Sequence, residues 1–485
     1  MRTHAFRAAL LFATGALFAA GSLRAQDQPF RKYVALGNSI TAGIQGNCLV
    51  ERHQRKTYPA IITRQLGITD FQLPLVGETR TVTNPARVCL GAVVAGGTIT
   101  VGAVSQMTDP LNVALPRPYD NLGISGARAA DLVDLRNPNP AGNNVNMSAA
   151  LVLRNVAGSP FAGRNAVEEA NMLTPDLVTL WIGNNDVLGA MLAGVAADGV
   201  TLTPRAAFNA KYNEVLTGLR ATGRTLVVLN IPDVGALPFA TTVPPVVVNP
   251  TTRQPVLIGG NPVPLLGSRP VGGCTTPPCP IPSDTLVTLQ AIPLMSQGIG
   301  IPVALGGTGQ PLPDGSFVPP GTLNAGVLLY ADEVAAIRAR TDELNSEIAA
   351  AASSNGAILV DTHAIFDEIL AEGLHFGGIE IGADFLTGGL FSADGVHPNN
   401  IGHAIIADEI IQTLNEERDL EIPRPNIGEV LFTPDVPPTV ATRVDPFEAW
   451  KSMLGAYPPA DGIDVQLPTI QGKRPPSKGR GRVTP

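Results

Sequence analysis

Aromatic side chains are scarce in this chain of 485 residues, at 5%, and tryptophan occurs only at Trp181 and Trp450. That scarcity argues against a site that stacks sugar rings. Positive charge is also short: 33 Lys and Arg stand against 41 Asp and Glu, for a formal net charge of -8. Nucleic acid is disfavoured as the main partner, because phosphate binding needs a cationic face. Solubility is the plain reading of that charge. After the N-terminal segment no apolar run approaches the roughly 20 residues that a membrane span takes. Missing too are a Gly-x-Ser-x-Gly elbow, His-Glu-x-x-His, a P-loop and a Gly-x-Gly-x-x-Gly after a strand. Their absence removes the usual signatures of α/β-hydrolases, zincins and nucleotide enzymes.

Glycine and proline, by contrast, are abundant, at 51 and 44 residues. With 44% hydrophobic and 15% charged residues, they describe a globular chain with long loops beside a regular core. The length admits two or three domains, or one large domain with insertions. At the N-terminus Arg2, His4 and Arg7 precede the apolar run 8–20, followed by Gly21, Ser22 and Ala25. This pattern predicts a secretory signal peptide cut between residues 20 and 26, with an uncleaved anchor as the alternative. The four cysteines fit an oxidising compartment, secreted or periplasmic. Of three possible pairings, Cys48–Cys89 and Cys274–Cys279 are preferred, since each closes a Gly/Pro-rich excursion. Zinc at Cys274 and Cys279 is disfavoured, because no His and no second Cys-x-x-Cys accompanies them.

Short apolar runs at 33–36, 120–124, 176–182, 225–229 and 357–360 alternate with helical patterns at 58–66, 127–135, 205–220, 333–351 and 402–414. Strand-helix alternation with strands apolar on both faces predicts an α/β fold on a parallel sheet. Three stretches break the rhythm. Residues 77–118 and 236–326 read as insertions at the sheet's rim, lids or binding elements or else disordered, with an apolar wall over the site and a structural β-flap as the two readings of 236–326. Residues 421–485 read as a Pro-rich extension. Its Lys/Arg end, from Gly472, is expected to be a disordered solvated tail, with weak contact to anionic envelope components as the alternative.

Chemistry-bearing residues fall at the strand ends, where open α/β sheets place their sites. Ser39 follows the first strand in Gly37-Asn38-Ser39, although such a serine is more often a helix cap. Gly126, in Asn121-Leu-Gly-Ile-Ser-Gly126, is expected to open a helix and aim its N–H at a developing oxyanion. A tight-turn glycine is the bland alternative. Asn185, in Gly183-Asn-Asn-Asp186, offers a side-chain amide as a further donor, and Asp186 is expected to cap a helix starting near Val187. Asp394, three residues before His397, can hold the imidazole by Nδ1 and leave Nε2 free as a base. Metal binding by Asp394, His397 and His403 is the rival, and it lacks a third ligand cluster.

Taken in order, GNSITAG, NLGISG, GNND and DGVHP resemble the four blocks of the SGNH/GDSL serine hydrolases. The resemblance implies a flavodoxin-like three-layer sandwich with a five-stranded parallel sheet, spanning about 26–420 with the two insertions. It implies Ser39 as nucleophile, Asp394 and His397 as its triad partners, and an oxyanion hole of the Ser39 and Gly126 amides with Asn185. It implies no cofactor and a small-molecule or lipid ester as substrate. Asn38 stands where the family usually has Asp. A carbohydrate O-acetyl esterase and an inactive envelope-binding module of the same fold are the competing readings.

Overall fold

Five short apolar runs form five parallel strands: β1 (Tyr33–Gly37), β2 (Asn121–Gly123), β3 (Leu177–Trp181), β4 (Thr225–Leu229) and β5 (Ile358–Val360). In β1, β3 and β4 every residue is buried, as a sheet covered on both faces requires. The order across the sheet is β5-β4-β3-β1-β2, the flavodoxin-like arrangement expected. Its registers are anchored by Leu36 opposite Leu122, Val34 opposite Val178, Thr179 opposite Val227 and Leu359 opposite Val228. Strand order reverses between β1 and β3, and ligands of such sheets bind at that reversal, outside the carboxyl ends. The computed structural model describes residues 28–431, except 85–86, 96–97, 251, 253, 319–321 and 377–378. The signal peptide expected at 1–25 and the tail expected from Gly472 lie outside the described residues.

Helices α1 (Ser39–Ala42), α2 (Asn184–Ala193), α3 (Ala331–Asn355), α4 (Thr362–Glu372) and α5 (Asn400–Arg418) matter most to the site. The last buries Ile401, Ala404, Ile405, Ile410 and Leu414 in the main core. Its start is fixed by Asn399, whose side chain accepts from the Ile401 and Gly402 amides; Ala at such a cap typically costs about 1 kcal/mol. Among the described residues no helix is long and apolar enough to cross a membrane.

The two insertions have different constructions. Strands Val88–Ala95 and Val76–Thr79 flank Thr98–Pro110 in an antiparallel sheet, tied to the main domain by the Cys48–Cys89 disulfide. Residues 236–326 fold around a core of their own, with Val247, Leu265, Ile281, Val287, Met295 and Leu312 buried together. They carry the Cys274–Cys279 disulfide.

One expected helix is largely missing. Residues 127–135 contain only the single turn Asp131–Asp134. The Arg128 amide donates to the Asp131 carboxylate and the Ala129 amide to Asp186, at 2.7 and 3.0 Å, so side chains take the place of helix carbonyls. Gly126 therefore opens no helix, and the dipole argument for it falls. Asp186 does not cap a helix near Val187 either, because α2 begins at Asn184 and the Asp186 carboxylate reaches across to the loop after β2.

Candidate active site

Ser39 is the first residue of α1, immediately after β1. The turn from strand to helix is tight: a Cβ on Gly37 would lie 2.1 Å from Thr41 Oγ1 and 2.5 Å from the Trp181 carbonyl oxygen. Asn38 caps the helix by accepting from the Ile40 amide at 3.0 Å and donates through Nδ2 to Asn184 Oδ1 at 2.9 Å. It thus uses both ends of its amide, one on its own helix and one on the loop after β3. As the first residue of α1, Ser39 has an amide with no intrahelical acceptor.

The loop before α5 brings His397 over this serine. His397 Nε2 lies 2.8 Å from Ser39 Oγ, and Nδ1 lies 2.9 Å from Asp394 Oδ2. Asp394 is buried, and its other oxygen accepts from the Val396 and His397 amides at 2.9 Å each. The Asn47 amide, from outside the loop, donates to Oδ2 at 2.9 Å. Burial by itself would raise the Asp394 pKa. The His397 charge, the His397 hydrogen bonds and the Asn47 N–H outweigh it and hold the carboxyl well below the usual carboxylate range.

Gly126 takes a left-handed φ of 79°, so the need for glycine there comes from the turn. Asn185 Nδ2 donates to the Ala127 carbonyl at 2.9 Å, which sets the Asn185 amide against the Gly126–Ala127 turn. Ser39, Gly126 and Asn185 thus sit at the carboxyl ends of the neighbouring strands β1, β2 and β3, Ser39 and Asn185 in the first turns of α1 and α2 and Gly126 in a turn. Asp186 clasps the last two of these segments through the Ala129 amide, and burial pushes its pKa up to about 6. His403 lies apart from the Asp394–His397 pair's hydrogen bonds. It is fully buried, stacks on Tyr58 and accepts from the Tyr58 amide at 3.4 Å. Burial lowers its pKa to about 3, so it is a packed neutral ring.

Sequence reasoning missed Gly46, Asn47, Asn184 and Ser392. Gly46-Asn47 is a recognisable two-residue turn pair, but nothing in the sequence says that the Asn47 amide faces a carboxylate 347 positions away. Next to the Ser39 and His397 segments lies an apolar cavity that opens to solvent. Ile40 and Val396, the neighbours of Ser39 and His397, line it, and its walls come largely from α4 and α5 through Ile365, Phe366, Ile405 and Ile406. Only Leu237 among its lining residues belongs to the 236–326 insertion.

The model of the GDSL-like lipase/acylhydrolase family matches residues 33–410. The chain belongs to that family. This GDSL-family chain is accordingly an ester-bond hydrolase. Among solved structures it is similar to an acetylxylan esterase, Axe2, from Geobacillus stearothermophilus, at 13% identity over 82% of this chain and 97% of that one, with a TM-score of 0.32. It is also similar to a lipase/acylhydrolase from Enterococcus faecalis, at 10% identity, 81% and 100% coverage and a TM-score of 0.31. An alpha/beta hydrolase, LAE5, from the metagenome of Lake Arreo, Spain, gives 15% identity, 80% and 97% coverage and a TM-score of 0.32. Likenesses this distant assign neither a substrate nor a residue role. No curated protein sequence matches the GDSL-family chain.

Proposed function

We propose that the chain is a secreted or periplasmic serine esterase that cleaves acyl esters through an acyl-enzyme on Ser39. The observation that carries this reading is the unbroken hydrogen-bonded line from Ser39 Oγ through His397 to Asp394. His397 takes the Ser39 proton as Oγ bonds to the ester carbonyl carbon. The Ser39 and Gly126 amides and Asn185 Nδ2 receive the oxyanion. His397 then returns the proton to the departing alkoxide, which leaves as the alcohol with the acyl group on Ser39. Water, deprotonated by His397, attacks next, and Ser39 leaves with its proton as the acid is released. The ionised Asp394 stabilises the imidazolium formed in each step.

An acyl chain is favoured over an acetyl group because the cavity beside Ile40 and Val396 is almost wholly apolar. The two disulfides fit export. The test is hydrolysis of p-nitrophenyl esters from acetyl to dodecanoyl by the wild type, Ser39→Ala and Ile406→Trp. The expected wild type prefers medium chains over acetate, Ser39→Ala loses the activity, and Ile406→Trp shifts the preference toward short chains. Equal activity in Ser39→Ala would remove the serine mechanism. A wild type active on acetate alone would favour a carbohydrate O-acetyl esterase, and a chain inert on every ester would favour the binding-module reading.

A further inference from the structure

Gln45 and Cys48 pair as an antiparallel bridge, with both amides bonded at 3.1 and 3.2 Å. Between them Gly46 and Asn47 both take left-handed φ, of 57° and 61°, the two-residue turn that closes tight hairpins. The tip of this turn points its amides at the loop that carries His397. Gly46 N–H donates to Ser392 Oγ at 3.0 Å and Asn47 N–H to Asp394 Oδ2 at 2.9 Å. Ser392 in turn donates its amide to the His397 carbonyl at 2.8 Å. Among the described residues, Asn47 N–H is the one donor to Asp394 from outside that loop.

The turn is itself held from behind by the antiparallel insertion. The Leu90 amide donates to the Gly46 carbonyl at 2.8 Å, and the adjacent Cys89 is joined to Cys48, the residue that ends the turn. Both cysteines are fully buried, packed with Val50 and against Val104 and Met107. The backing is close: a Cβ on Gly46 would lie 2.0 Å from the Leu90 carbonyl oxygen.

We infer that the insertion, through the Cys48–Cys89 disulfide and the Gly46–Asn47 turn, is a positioning element for the Asp394–His397 pair. The inference rests on the serine-esterase reading above. Asn47 N–H keeps Asp394 ionised and fixed in place, so that the His397 ring stays aimed at Ser39. A charge-assisted hydrogen bond from a backbone amide is among the stronger kinds, and its loss acts on the reacting geometry while the apolar cavity is untouched. The effect therefore belongs in kcat and leaves KM alone.

The test compares the wild type with Cys48→Ala/Cys89→Ala and Gly46→Ala, using Cys274→Ala/Cys279→Ala as the disulfide control and Ser39→Ala as the chemical control. On the best p-nitrophenyl ester, the first two variants are expected to lose about tenfold or more in kcat with KM within about twofold. The Cys274/Cys279 control should keep the wild-type kcat. Should the Cys48/Cys89 variant fail to fold, Gly46→Ala carries the same test with the disulfide intact. A downfield proton resonance from His397 Nδ1–H, present in the wild type and in Ser39→Ala, should be broadened or displaced in both positioning variants. Folded variants with unchanged kcat and an unchanged resonance would overturn the inference, and so would a loss confined to KM. If Ser39→Ala matches the wild type in activity, the esterase reading fails, and the resonance still decides whether the turn holds the pair.

Discussion

Asn185 has a divided task at the scale of single residues. One hydrogen of its amide is spent on the Ala127 carbonyl, which fixes the side chain, and in the oxyanion role proposed above the other hydrogen would meet the developing charge. A fixed donor costs no reorganisation when charge develops, and removing one typically costs about 3–4 kcal/mol in the barrier. Asn185→Ala is therefore expected to lower kcat by about a hundredfold or more while KM changes little. A variant with full kcat would leave Ser39 and Gly126 as the whole oxyanion site. The roles proposed for Ser39, Asn185 and His397 can be suggested from sequence because each sits in a short motif directly beside a strand or the closing helix. That of Asn184 cannot. Its task is to accept from Asn38, and a contact between two loops leaves no mark in either motif.

Among elements, β2 and α1 meet backbone to backbone. A Cβ on Gly123 would lie 2.3 Å from the Ala42 amide nitrogen and 2.7 Å from the Thr41 carbonyl carbon, both backbone atoms that cannot swing aside. Asn121 Nδ2 adds a bond to the Thr41 carbonyl at 2.7 Å. Gly123→Ala should destabilise the fold by about 1–3 kcal/mol, as overpacking does, and should cut kcat in the fraction that stays folded. Urea unfolding and kinetics on the same preparation separate the two effects, and an unchanged kcat would mean that α1 relaxes without moving Ser39. The strands were legible because buried parallel strands are short apolar runs. Helix ends were less so. The helix Ala166–Met172 was passed over although Asn165 and Glu168 form its capping box, a readable signal. The stretch 127–135 failed for the opposite reason: its apolar spacing is helical, but the carboxylates of Asp131 and Asp186 claim its amides.

For the molecule as a whole, pH acts through carboxyls shifted in both directions, of which Asp394 and Glu169 are one of each. Asp394 is depressed, so its contribution is in place above the unfolded value near 3.8 and is lost as pH falls below it. Glu169 is buried, and neither of its oxygens has a hydrogen-bond partner among the described residues. Burial raises its pKa to about 9, against the opposing pull of Arg154 and Arg164. The unfolded chain releases that proton near 4.5, so the fold holds an extra proton between about 4.5 and 9 and stability declines as pH rises through that window. Glu169→Gln, which cannot ionise, should flatten the decline and raise the Tm at pH 8 relative to the wild type. Parallel Tm–pH curves for the two proteins would show that Glu169 plays no part. The insertions were visible in the sequence as breaks in rhythm, yet their functions were not. Residues 236–326 built a separate core, whereas 77–118 reached the Asp394 loop through a disulfide and a turn.

Ser39 and His397 are 358 residues apart and meet through one hydrogen bond. A ribosome therefore releases Ser39, the proposed nucleophile, long before His397, its proposed base, and the loop before α5 has to dock before the two can meet. In the serine mechanism proposed above, the segment that ends at α1 holds a serine without its base, and activity waits on the docking of a loop made 358 residues later.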